Sequence, residues 1–385
     1  MKKIVFISNY LTHHQIPFCD AMNSFEDIDF KFIATKSFSE ERKAGGWKYD
    51  ASHNYCIQYN ENLNKTDINR LIYDADAVIV GSAPNSMVKD RISAGKLVFR
   101  YNERPLKNGI EIKKYPFRLF KWHKENPANK NIYMLCASAY TATDYSKFGL
   151  FKNKAYKWGY FPETRKYRSE DDVILSKDSK KILWCGRFVD FKHAEYAVKV
   201  AARLKSSGYD FSMEIIGDGT QREELQQMAK QMGVAKNIEF SGVMQENIVR
   251  HHMEKAGIYL FTSDRGEGWG AVLNEAMNSC CAVVASNAAG STPYLVENGV
   301  NGMVYKSGDD EDLYEKVKYL LDNPEEQHRL GKAAYGTMTS LWNAQNAAER
   351  FIKLAESIIE GEKHPDLYID GPCSKAGNTK ENWYI

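Results

Sequence analysis

The chain has no excess of charge of either sign. Fifty-two Lys and Arg stand against 50 Asp and Glu, for a net charge of +2. That balance argues against a dedicated nucleic-acid binder. Paired cysteines are missing as well: Cys19, Cys56, Cys136, Cys185, Cys280, Cys281 and Cys373 are odd in number and form no C-x-x-C. Several fall in apparent strands or helices, where Cys behaves as a small hydrophobe. The pattern points to a reducing cytoplasm and to no zinc site. There is no internal repeat and no low-complexity tract. The N-terminal Met1-Lys2-Lys3-Ile4 runs straight into an apolar strand too short for a signal peptide or a membrane span, so the expectation is a soluble protein whose membrane contact, if any, is peripheral. Asp74-Ala75-Asp76 is a D-x-D that precedes a strand; it reads as the end of a helix and the start of that strand, with no metal site expected. Gly217-Asp218-Gly219 lacks the third glycine of a dinucleotide fingerprint, because Arg222 occupies that place, and an NAD enzyme is poorly supported.

What is there suffices for two domains of ordinary size, with 43% hydrophobic residues to build their cores. Short apolar runs alternate with helical stretches, the pattern of α/β proteins with parallel sheets. The first half offers strands at Ile4–Ser8, Phe30–Ala34, Ala77–Gly81, Leu97–Tyr101 and Ile132–Ala137. The second offers Ile182–Cys185, Ser212–Ile216, Ile238–Phe240, Ile258–Phe261, Ala282–Ala285 and a shorter one at Gly302–Tyr305. Two doubly wound, Rossmann-like domains follow, 1–165 and 166–342, with the polar stretch Thr164–Lys180 as linker. A long helix is expected over Asn343–Ile359, with Ala347, Phe351, Leu354, Ala355 and Ile358 on one stripe, and the polar tail 361–385 is expected to be loosely attached.

The stretch Asp264–Gly290 carries the most chemistry. Glu267 and Glu275 stand eight residues apart, and between them Gly266, Gly268 and Gly270 form a turn running into a helix. The helix stripe is Leu273, Ala276, Met277 and Cys280; Glu275 falls off it and is read as lying outside the core. A glycine-rich turn opening a helix presents free N–H groups and a positive dipole end, which suits an anion. A carboxylate beside it suits hydroxyl groups, so a nucleotide sugar would fit. A glycine turn with two solvated glutamates is the plain alternative. Upstream, Arg187 and Lys192 follow the strand Ile182–Cys185 at a sheet's carboxyl end, where ligands of open α/β sheets bind and where both cations suit phosphate oxygens.

Glu267-Gly268-Trp269-Gly270-Ala271-Val272-Leu273-Asn274-Glu275 resembles the E-x7-E signature of retaining glycosyltransferases of family 4, the group 1 glycosyltransferases. Val283–Ser286, Gly290, Val296–Gly302, Trp184–Phe188 with Lys192, Ile215–Gly219 and Ile238–Gly242 follow the family's order, so the resemblance covers roughly residues 180–345. It implies the GT-B fold, two Rossmann-like domains facing a central cleft, with the last helix (343–360) crossing back to the first domain. It implies a retaining, metal-independent transferase of hexosyl or N-acetylhexosaminyl type with no cofactor. Its donor would be a nucleotide-diphosphate sugar, UDP-linked by first choice. Its acceptor would be a glycan or lipid-linked oligosaccharide of bacterial-type surface polysaccharide synthesis, handled in the cytoplasm or at the inner face of the cell membrane. Residue by residue, Arg187 and Lys192 would clamp the diphosphate, Glu275 would bind the ribose hydroxyls and Glu267 would hold the transferred sugar. Amides around Gly268, Trp269, Gly270 and Ala271 would touch sugar or diphosphate. The base would lie between the turn with Gly217 and Gly219 and the segment Gly242-Val243-Met244.

The sequence departs from the family in three places. Cys280-Cys281 stands where a small residue and proline are usual. The N-terminal glycine-rich loop is replaced by Asn9–Pro17, in which His13, His14 and Gln15 are acceptor-side candidates. Ser138 and Tyr140 stand where many relatives have a histidine, which leaves Ser138 as a weak candidate for the cleft. The segment 107–124 has six Lys or Arg and one Glu, with Tyr115, Phe117, Phe120 and Trp122 interleaved. It would suit anionic lipid headgroups; a partly buried helix with a solvated basic edge is the alternative. Two other functions stay open: a non-catalytic GT-B subunit that stabilises a partner transferase, and another sugar-nucleotide enzyme on this fold, such as an epimerase.

Overall fold

The computed structural model describes residues 1–37 and 53–385. Contacts divide the chain into two compact units, Met1–Glu163 with Asn343–Thr379, and Thr164–Trp342 with Lys380–Ile385.

Among the described residues of the first unit, seven parallel strands form one sheet: β1 (Lys2–Ser8), β2 (Ile28–Ala34), β3 (Cys56–Gln58), β4 (Ala77–Val80), β5 (Leu97–Asn102), β6 (Ile132–Cys136) and β7 (Ala155–Lys157). Their order is β3-β2-β1-β4-β5-β6-β7. The central strands are buried on both faces, as a sheet flanked by helices requires: Ile4 to Ile7 and Ala77 to Val80 are all nearly inaccessible. Strand order reverses between β1 and β4, which makes the carboxyl ends of those strands the crevice of this sheet. The helix Ala344–Ile359 is capped by Asn343, whose side chain accepts from the Asn346 amide at 2.9 Å. All five residues of its apolar stripe are buried. Phe351 meets Phe18 of the helix Ile16–Asn23, Phe99 of β5 and Trp158 edge-on, with centroids 6.4, 5.0 and 5.9 Å apart.

The second unit has six parallel strands: β8 (Asp178–Cys185), β9 (Ser212–Ile216), β10 (Ile238–Gly242), β11 (Ala256–Phe261), β12 (Ala282–Ser286) and β13 (Met303–Tyr305). The order β10-β9-β8-β11-β12-β13 reverses between β8 and β11. Its core joins Trp184, Ile215, Leu260 and Val284 of the sheet to Val198 and Leu204 of the helix Ala194–Ser206.

Two expectations need correction. The three-residue edge strands β3 and β7 were not expected at all, being too short to show alternation. The stretch Thr164–Lys180, which holds the apolar run Val173–Leu175, contains a helix over Glu170–Leu175: Ser169 caps it by accepting from the Asp172 amide, and three acidic residues fill its first turn. The tail is not loosely attached. Cys373 and Ser374 are buried, the Cys373 amide donates to the Lys157 carbonyl at 2.9 Å, and the Lys157 amide donates to the Ser374 carbonyl at 2.8 Å. The tail thus covers the free edge of β7, which would otherwise leave a row of unpaired backbone groups. Its last residues belong to the second unit, where Asn287 Nδ2 donates to the Glu381 carbonyl at 2.9 Å and Trp383 Nε1 to the Asn287 carbonyl at 3.2 Å.

Candidate active site

In the second unit the loops leaving β8, β9 and β11 meet at the carboxyl end of the sheet. The loop after β8 is zipped to the loop after β9: the Gly186 amide donates to the Ile216 carbonyl at 3.0 Å and the Phe188 amide to the Asp218 carbonyl at 2.9 Å. That approach demands glycine. A Cβ on Gly217, at φ +135°, would stand 1.8 Å from the Gly186 oxygen, and one on Gly219 would stand 2.4 Å from the Phe188 oxygen. The Gly217 amide also donates to the Gly242 carbonyl at 2.8 Å, which brings the segment with Val243 and Met244 beside this turn; Val243 is exposed.

Lys192 pairs with Glu267 Oε2, and Ser263 Oγ donates to the same oxygen at 3.0 Å. Both side chains of the pair are nearly buried, at 13% and 12% exposure. Glu267 Oε1 has no hydrogen bond among the described residues. Arg187 is exposed, and its guanidinium has no partner among the described residues. Two contacts that the sequence reading missed join the β8 loop to the β11 loop. The Asp264 amide donates to the Phe191 carbonyl at 2.9 Å, and His193 lies between Glu195 Oε1 (2.7 Å) and Asp264 Oδ2 (3.2 Å). The Glu195 hydrogen bond raises the His193 pKa above its ordinary value; burial opposes this and Asp264 adds to it.

Gly270, at φ +90°, caps the helix Ala271–Asn278; a Cβ there would meet the Phe261 ring at 2.3 Å. Gly268, Trp269 and Ala271 are buried with it, and the Trp269 indole N–H donates to Asn274 Oδ1 at 2.9 Å. Glu275 corrects the helical-stripe reading: it is 6% exposed, because this helix is buried nearly all round, Asn274 and Asn278 included. Its carboxylate has no hydrogen bond among the described residues. Burial first, then repulsion from Glu246, pushes its pKa up to about 8, against attraction from Arg250, Arg165 and Lys192. Asp76 serves the backbone, accepting from the Lys3 amide at 2.8 Å.

The acceptor-side candidates lie in the first unit. A cavity of about 380 Å³ opens at the carboxyl ends of β1, β4 and β5, and His14 and Gln15 line it. His13 does not, although its ring stands 3.7 Å from that of His14. Ser138 does not either: it is fully buried, and its hydroxyl accepts from the Tyr140 amide at 3.3 Å. The cavity also holds Asn102, Glu103 and Tyr160, which the sequence reading missed. No periodic signal marks these residues; they come together only through the sheet.

Two doubly wound parallel-sheet α/β units, the second with cations and carboxylates on its strand-end loops, define a protein of the GT-B fold. Residues 168–337 match the family model of glycosyl transferases group 1. Among curated relatives, the alpha-D-kanosaminyltransferase of Streptomyces kanamyceticus is 29% identical over 47% of this chain and 46% of its own length. The GDP-mannose-dependent alpha-(1-6)-phosphatidylinositol monomannoside mannosyltransferase of Mycolicibacterium smegmatis is 26% identical over 48% of this chain and 50% of its own. The chain thus spans about half the length of the curated relatives it matches. The fold extends further than the sequence similarity. Anabaena HepE in complex with UDP superposes over 93% of this chain and all of its own, with a TM-score of 0.69 at 12% identity. Staphylococcus aureus TarM, in a complex that includes UDP, covers the same shares with a TM-score of 0.66 at 12% identity.

Proposed function

We propose that the chain is a retaining glycosyltransferase that moves a hexosyl or N-acetylhexosaminyl unit from a nucleotide-diphosphate sugar, UDP-linked by first choice, to a glycan or lipid-linked oligosaccharide. The observation that carries this reading is the arrangement in the second unit: Arg187 unpaired, Lys192 on Glu267, and the buried carboxylate of Glu275 without a hydrogen-bond donor. Cleavage of the bond between the anomeric carbon and the phosphate oxygen leaves negative charge on the diphosphate. Arg187 and Lys192 would stabilise it without a metal. The acceptor oxygen bonds to the same face of the anomeric carbon, and its proton passes to the departing phosphate oxygen. Glu267 is held by a cation and a hydroxyl on one oxygen, which weakens it as a nucleophile and suits it to hold sugar hydroxyls with the other. Ribose hydroxyls would supply the donors that Glu275 lacks.

Hydrolysis of UDP-, GDP- and ADP-sugars, followed by phosphorus NMR, tests this. One nucleotide sugar should release its diphosphate, with the anomeric configuration retained in the sugar. Lys192→Ala should slow release by roughly 10²- to 10³-fold, the typical effect of deleting one charge stabiliser. No release from any of them by the wild-type chain, or full activity in the variant, would count against the reading.

The same reading includes contact with an anionic membrane surface. No helix among the described residues is long and apolar enough to cross a membrane. On the helix Tyr115–Glu125, however, Tyr115, Leu119 and Trp122 pack inward while Phe117 and Phe120 are 68% and 69% exposed, and Ile112 just before it is 85% exposed. Lys113, Lys114, Lys121 and Lys124 accompany them, which is the chemistry of an interfacial helix.

A further inference from the structure

His193 stands at the joint between two loops of the second unit. It follows Lys192 after β8 and opens the helix Ala194–Ser206, and its backbone is left-handed, at φ +52° and ψ +50°. Glycine adopts that conformation freely and other residues resist it, so a histidine there needs a reason in its side chain. The ring supplies one. Nδ1 lies 2.7 Å from Glu195 Oε1, and Nε2 lies 3.2 Å from Asp264 Oδ2. An ionised carboxylate only accepts, and a neutral imidazole carries a single N–H. Both contacts are therefore hydrogen bonds only when His193 is an imidazolium. In the neutral ring, whichever nitrogen has lost its proton turns a lone pair towards a carboxylate oxygen. The hydrogen bond to Glu195, against burial and with help from Asp264, holds the His193 pKa above its ordinary value. The ring also stacks on Tyr196 at 5.1 Å, and Lys199 Nζ stands 5.0 Å from the Tyr196 centroid. On the turn before it, Asp190 accepts from Gln221 Nε2 at 2.9 Å and Lys192 is paired with Glu267. Arg265 follows Asp264 in the chain.

Asp264 passes the contact on. Its Oδ1 accepts from the Gly266 amide at 2.7 Å and its carbonyl from the Glu267 amide at 3.1 Å, so the residue that meets His193 also shapes the turn that carries Glu267. Two bonds join the same loops whatever the state of His193: the Asp264 amide donates to the Phe191 carbonyl at 2.9 Å, and Thr262 Oγ1 donates to the Lys192 carbonyl at 2.6 Å. His193 is the partner whose hydrogen bonding changes near neutral pH. We propose that His193 is a positioning residue of the donor site: its imidazolium ties the loop carrying Lys192 to the loop carrying Glu267, and loss of the ring proton to solvent loosens that tie and weakens the hold on a nucleoside diphosphate. The ligand in this statement rests on the transferase reading above; the tie itself does not. The contribution of His193 to binding is complete in mildly acidic water and is lost as pH rises through the raised pKa of the ring.

The test is calorimetric titration of UDP, GDP and ADP at about pH 6 and about pH 9, chosen to bracket a raised imidazole pKa. The proteins are wild type, His193→Asn and Asp264→Asn, with nitrogen-15 NMR of the histidine rings on the wild-type full chain. Asparagine tolerates the left-handed backbone and carries no charge. At the lower pH, wild type should bind its nucleotide roughly tenfold more tightly than His193→Asn, the loss expected for hydrogen bonds between charged groups. At the higher pH the two should bind alike. Glu275 titrates in the same range in both proteins, so the ratio of their affinities isolates His193. Asp264→Asn separates positioning from direct attraction. Removing a negative charge would strengthen the binding of a diphosphate if charge alone mattered, whereas losing the tie should weaken it at the lower pH. In the NMR spectra, both ring nitrogens of His193 should carry protons at the lower pH, and the Gly266 and Glu267 amides should shift as the ring titrates. An affinity ratio that ignores pH, tighter binding by Asp264→Asn, or Gly266 and Glu267 amides that stay fixed through the titration would overturn the proposal. If no nucleotide binds but these amides follow His193, the tie stands and the transferase reading falls.

Discussion

Glu275 is a carboxyl group with little water around it and no hydrogen-bond donor, and its pKa is pushed up to about 8 from an ordinary 4.5. A carboxyl raised in this way holds its proton more tightly in the folded chain than in the unfolded one. Its contribution to stability is therefore complete below about pH 4.5 and is lost as pH rises through about 8. Glu275→Gln carries no charge at any pH and should escape that loss. In calorimetric melting, its Tm should match wild type near about pH 5 and exceed it near about pH 8.5. Equal melting temperatures at both values would mean the carboxyl is better solvated than its surroundings indicate. The spacing of the two glutamates was legible in the sequence; the burial of Glu275 was not. A stripe of period 3.6 assumes one buried face, whereas the helix Ala271–Asn278 is enclosed on nearly every side. Glu103 was illegible for another reason: it follows β5 as one more polar residue, and only the neighbouring strand ends turn it into part of a cavity.

At the scale of elements, the long buried strands and the amphipathic helices could be read directly. Ser212–Ile216 was placed to the residue, and the helix at Ala344–Ile359 to within one. Elements that depend on neighbours were lost: β3 and β7, each three residues, exist because β2 and β6 offer them an edge. The helix Tyr115–Glu125 separates two kinds of aromatic residue. Trp122 packs edge-on against Phe148 at 4.7 Å, while Phe117 and Phe120 face solvent. Replacing both exposed residues with serine should change stability by no more than about 0.5 kcal/mol per site, as is usual for surface positions. The same double variant should lose co-sedimentation with vesicles containing phosphatidylserine, and wild-type binding should weaken with added salt. Retained binding in the variant would remove this helix from any membrane contact.

For the whole molecule, the chain passes between its two units at Glu163 to Thr164, at Trp342 to Asn343 and at Thr379 to Lys380. The last 25 residues were expected to add little, yet they supply partners to buried groups. Tyr156 Oη donates to the Pro365 carbonyl at 3.0 Å, and Tyr133 Oη to the Lys363 carbonyl at 3.0 Å. Ending the chain at Glu360 should therefore lower Tm and promote aggregation through the uncovered edge of β7; a truncated chain that melts like the full one would refute a structural role for the tail. The central claim concerns the second unit as a nucleotide-sugar site. Calorimetric titration of UDP, with GDP and ADP as comparators and no added metal, into wild type and Glu275→Ala tests it most directly. The account predicts that one nucleotide binds wild type and that the variant weakens it markedly. No binding by any of the three, or equal binding to both proteins, would contradict it.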